Sequence, residues 1–110
     1  MTTSDECLTA LDDPACTLPD ADRPVRRDGW HALLGSATIA TADGPRTARF
    51  EFPADPETAA AVAGLASDEV ACCAFFEFGI RVREGGLELR ATVPPGHERV
   101  VEGLLRLAAS

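Results

Sequence analysis

The chain contains no lysine, no tyrosine and one tryptophan. All 10 basic side chains are therefore arginine, set against 18 aspartates and glutamates, for a formal net charge of −8. So acidic a surface repels phosphate backbones, which argues against direct nucleic-acid binding. No apolar run approaches a membrane span, and the start "MTTSDECLTALDD" lacks the basic residues that open a signal peptide. These absences predict a cytoplasmic protein with no membrane partner. In that compartment the 4 cysteines do not form a disulfide framework, which leaves metal binding, catalysis or plain burial. Cys-x-x-Cys and His-x-x-x-His pairs are also missing, so the usual ligand spacing of a structural zinc site is absent.

At 110 residues and 45% apolar content, the sequence suits one core. Residues 1–24 hold Pro14, Pro19, Pro24, Cys7 and Cys16, and read as an arm too rich in breakers for regular sheet. Residues 25–110 read as a single domain. Asp28 is positioned to cap a short helix carrying Trp30, Leu33 and Leu34, with Gly35 as its stop. Asp43-Gly44 signals a hairpin, after which Ala48, Phe50 and Phe52 alternate with polar residues. Asp55-Pro56 opens a second helix with an apolar stripe of Val62, Leu65, Ala66, Val70 and Cys73. Phe76, Phe78, Ile80 and Val82, then Leu87, Leu89, Ala91 and Val93, alternate around Gly85-Gly86 as a second hairpin. An amphipathic helix on Val100, Val101, Leu104, Leu105 and Ala108 closes the chain. The expected fold is α+β with two layers. Two hairpins form a four-stranded antiparallel sheet, and helices pack on one face.

The chemistry concentrates in "DEVACCAFFEF". Glu69 lies three residues before Cys72 and four before Cys73, so its carboxylate shares a helix face with both thiols. Asp68, Glu69 and the negative end of the helix disfavour a lone thiolate but suit a cation. A soft metal ion supplies the missing positive charge and deprotonates the thiols. Two thiolates at a helix-to-strand bend favour Hg(II), Cu(I) or As(III), with Zn(II) a poorer match. Cys16, between two prolines, is the candidate third thiolate. Cys7 is a candidate fourth donor that ranks below Cys16, because nothing fixes its position. The bland alternative is that the thiols are core filling, because cysteine is among the most buried residue types. Cys73, on the apolar stripe, fits that alternative as well as it fits metal binding, and Phe75, Phe76 and Phe78 read mainly as core. His31 and His97 read as solvated, and Arg26-Arg27 as a charged approach to the first helix.

The segments "CTLPDADRPVR", "CCAFFEF" and "TVPPGHERVVEGLL" resemble a group of small actinobacterial proteins. In these a Cys-Thr-Leu-Pro segment precedes Cys-Cys-x-Phe-Phe. The group is associated with regulators of the mercury-resistance type, so the resemblance implies metal resistance or sensing, with a regulator protein or a second copy as partner. A weaker resemblance is to organomercurial lyases, in which two cysteines and an aspartate split a carbon–mercury bond. That resemblance implies Cys16 and Cys72 as thiolates, with Asp20 or Glu69 as proton donor. Here Cys16 and Asp20 stand one residue further apart than in that pattern. The leading expectation is a mercuric-ion-binding protein using Cys16, Cys72 and Cys73. The alternatives are the lyase-like enzyme and a regulator-associated interaction domain without metal.

Overall fold

Strict alternation in "TARFEF" and "GLELRAT" builds the centre of the sheet. In the computed structural model, which describes residues 20–110, these segments are β2 (Thr47–Phe52) and β4 (Gly86–Thr92), paired antiparallel. Ala48, Phe50, Phe52, Leu87, Leu89 and Ala91 are buried on one face. Phe50 lies opposite Leu89, and neither is exposed. Burying side chains of this size contributes about 1.5–3 kcal/mol each. A one-residue slip would turn all of them outward, so the register is strongly specified. The hairpin partners β1 (Ile39–Ala42) and β3 (Glu77–Arg83) take the edges, giving the order β1-β2-β4-β3. The α+β sheet of two hairpins is the one expected.

On the other face Arg49 stands across from Arg90, and Glu51 across from Glu88. Like charges directly opposite repel. The side chains relieve this by pairing elsewhere. Arg49 bonds Glu51 on its own strand and lies 3.8 Å from Glu88, while Arg90 pairs with Asp43.

Among the described residues, α1 (Arg23–Leu34), α2 (Pro56–Cys72) and α3 (Glu98–Ala109) cover the apolar face. α3 packs on β1 and β2, α2 packs on β3, and α1 contacts both other helices. α2 begins as expected: Asp55 accepts the Thr58 backbone N–H at 2.8 Å, and Pro56 sits where no N–H is needed.

Three expectations are corrected. α1 starts at Arg23 after a 3₁₀ turn (Asp20–Asp22), so Asp28 lies inside the helix instead of capping it. Pro24 occupies the first turn, where proline starts a helix readily. Phe76 is buried in the turn ahead of β3, not in the strand. Ile80 and Val82 are 41% and 66% exposed, because β3 is an edge strand that the helical layer leaves partly uncovered.

Candidate metal centre

The inner face of α2 is not the stripe its apolar residues suggest. Val62, Ala66 and Cys73 are buried as expected, but Val70 is 40% exposed and Glu69 takes an inner position at 2%. The cause lies on α1. Trp30 Nε1 donates to Glu69 Oε1 at 2.8 Å, and Arg26 Nη1 donates to the same oxygen at 3.1 Å. A buried carboxylate is tolerated when it is paired and hydrogen-bonded, and here both conditions hold.

Arg26 also donates to Cys72 Sγ at 3.3 Å. Burial alone would lower the Arg26 pKa. Hydrogen bonds to Cys72 and Glu69, with the attraction of both groups, outweigh burial and hold it above the ordinary arginine value. The expectation of wholly negative surroundings is therefore corrected, because a guanidinium lies against the first thiol. Arg26 is part of the centre, not merely a charged approach to the helix.

The helix ends between the two cysteines. Cys72 is the last residue of α2, and Cys73 is its C-cap with φ −127° and ψ 80°. This departure from helical geometry lets adjacent side chains converge, and their sulfurs stand 3.8 Å apart. That is far beyond the disulfide bond length of about 2.05 Å. The Glu69 carbonyl accepts the Cys73 N–H at 2.7 Å and lies 3.6 Å from Cys72 Sγ. Two sulfurs and a Glu69 carboxylate oxygen thus lie within 4.8 Å of one another, all on buried residues. Glu69 Oε2 is buried with no hydrogen-bond partner among the described residues. Leaving such an atom unsatisfied costs roughly 1–3 kcal/mol.

Aromatic rings extend from this cluster. Phe78 stacks on Trp30 at 5.8 Å and on Phe76 at 4.8 Å, and Phe75 stacks on Phe76 at 4.9 Å. His97, expected in solvent, lies against Phe75 at 4.4 Å.

The structure brings Cys72, Cys73 and Glu69 together. Cys7 and Cys16 lie outside the described residues, and Asp20 opens the turn that leads into α1. Sequence reasoning missed Arg26 and Trp30. Their spacing of four residues places both on one face of α1, and that is the signal that could have paired them with a buried acid. No protein family, no curated protein and no solved structure matches the chain.

Proposed function

We propose that the protein binds a thiophilic metal ion through Cys72, Cys73 and Glu69, in heavy-metal resistance or sensing. The supporting observation is the buried convergence of two thiol sulfurs and a carboxylate oxygen within 4.8 Å, where Glu69 Oε2 has no hydrogen-bond partner among the described residues. Sulfurs 3.8 Å apart can share one ion at a metal–sulfur distance of about 2.3 Å. Two thiolates and a carboxylate carry three negative charges. Arg26 answers part of that charge, and a bound cation adds to it. Thiolate donors favour Hg(II), followed by Cu(I) and As(III), while Zn(II) wants a fuller ligand set. Cys16 is the candidate for an additional thiolate.

Native mass spectrometry of the reduced protein tests this, with one equivalent each of Hg(II), Cu(I), As(III) and Zn(II) in competition with a small dithiol. Hg(II) is retained in preference to Zn(II). Cys72→Ser and Cys73→Ser each abolish retention, and Glu69→Gln weakens it. The response of Cys16→Ser reads out whether the arm contributes. Retention of no ion, or retention indifferent to both Cys72 and Cys73, overturns the proposal and leaves the cysteines as packing in an interaction domain. The lyase-like reading draws on the same convergence but needs a proton delivered to carbon.

A further inference from the structure

We propose that the β3 edge is a homodimer interface, in which two copies pair antiparallel about a two-fold axis at Ile80. Among the described residues, β3 bonds to β4 on one side only. Its hairpin closes with Arg83 opposite Gly86 around a two-residue turn. In such a hairpin the closing pair is hydrogen-bonded, and bonded pairs alternate along the ladder. Glu77, Gly79, Arg81 and Arg83 therefore bond β4, while the backbone groups of Phe78, Ile80 and Val82 point outward. No proline and no bulge interrupts this 7-residue edge, so it is a ready template for another strand.

The side chains choose the second strand. Pairing about Ile80 sets Glu77 opposite the partner's Arg83 at both ends, Phe78 opposite the partner's Val82, and Ile80 opposite itself. All 7 residues of the strand then take part. Glu77 is exposed and forms no ion pair among the described residues. Arg83 is half-exposed, with Glu51 no closer than 3.9 Å. Residues 77–84 contain two glutamates and two arginines, a neutral stretch in a chain of formal net charge −8. Centring the pair one residue along, on Arg81, would set Arg81 against itself. On the helix side, Ile80 and Val82 lose their 41% and 66% exposure. The apolar groove that Ala63, Ser67 and Val70 form with Phe78 and Ile80 meets its own symmetry copy across the axis. Charge pairs thus meet on one face of the joint and apolar rows on the other.

Sedimentation equilibrium on the full chain, kept reduced to exclude intermolecular disulfides, tests the pairing. The wild type is expected to dimerise. Glu77→Arg and Arg83→Glu should each weaken the dimer several-fold, and the double exchange should restore it. Ile80→Arg, at a position that is already partly exposed, should give a monomer with an unchanged circular-dichroism spectrum. A wild type that stays monomeric at every concentration overturns the proposal, as it would mean that something other than a second copy covers this edge. A dimer that ignores both single exchanges, or that the double exchange fails to rescue, overturns the register and with it the interface.

Discussion

Glu69 shows what a single position can hide. In sequence its spacing from Val62, Ala66 and Cys73 puts it on the inner face of α2, but no basic residue of that helix offers its charge a partner there. Its partners lie 43 and 39 residues away, at Arg26 and Trp30, and only the packing of α1 on α2 joins them. The cysteine pair was legible because both thiols and the helix end are neighbours in the chain. The cation against Cys72 was not, for the same long-range reason. Arg26→Ala leaves a buried carboxylate without its counter-charge. Removing one partner of a buried pair costs about 3–5 kcal/mol, and the 15% exposure of the Arg26 side chain places this site toward the lower end. Urea denaturation of the metal-free variant should show that loss. One equivalent of Hg(II) should then stabilise the variant more than the wild type, because the ion supplies the charge the arginine did. Equal stabilisation of both would show that Arg26 and the metal do not answer the same carboxylate.

Among the elements, β2 and β4 were readable because every second residue is apolar and both strands are covered. β3 has the same alternation but stands at an edge, so its pattern did not reveal that Ile80 and Val82 would stay in solvent. The start of α1 was misplaced because Pro24 looked like a breaker, whereas in a first turn it is an initiator. The start of α2 was readable to the residue, and its cap has a pH signature. The Thr58 backbone N–H, followed by the Thr58 hydroxyl, lowers the Asp55 pKa below the ordinary aspartate value. Stabilisation from a depressed carboxylate is complete above the unfolded pKa, near pH 4, and is lost as the pH falls through the folded value. Thermal unfolding should find Asp55→Ala less stable than wild type near neutral pH, and the gap should narrow as the solution is acidified below about pH 4. A gap that stays constant across that window would mean the cap does not depend on the ionised carboxylate.

For the molecule as a whole, one continuous core runs from Trp30 on α1 through the sheet to Leu107 on α3. α3 is the lid over β1 and β2, and Leu104 is 3% exposed beneath it. Leu104→Ala should cost about 2–5 kcal/mol, the range for truncating a buried leucine. Because the cysteine pair belongs to the same core, the loss should appear in a single unfolding transition that also exposes Cys72 and Cys73 to a thiol reagent. Thiols that become reactive well before α3 melts would show the cysteine cluster to be a separately opening unit.

The absence of tyrosine and the presence of one tryptophan leave the protein with a single natural fluorophore. Trp30 is 1% exposed, and its indole N–H is bonded to the carboxylate assigned to the metal. Emission excited at the tryptophan band therefore reports on one hydrogen bond at the centre of the proposed site. Titration with Hg(II) should quench it in proportion to loading, with a break at one equivalent, and the break should disappear in Cys72→Ser. Trp30 thus makes the proposed loading of the site an optical readout that needs no label.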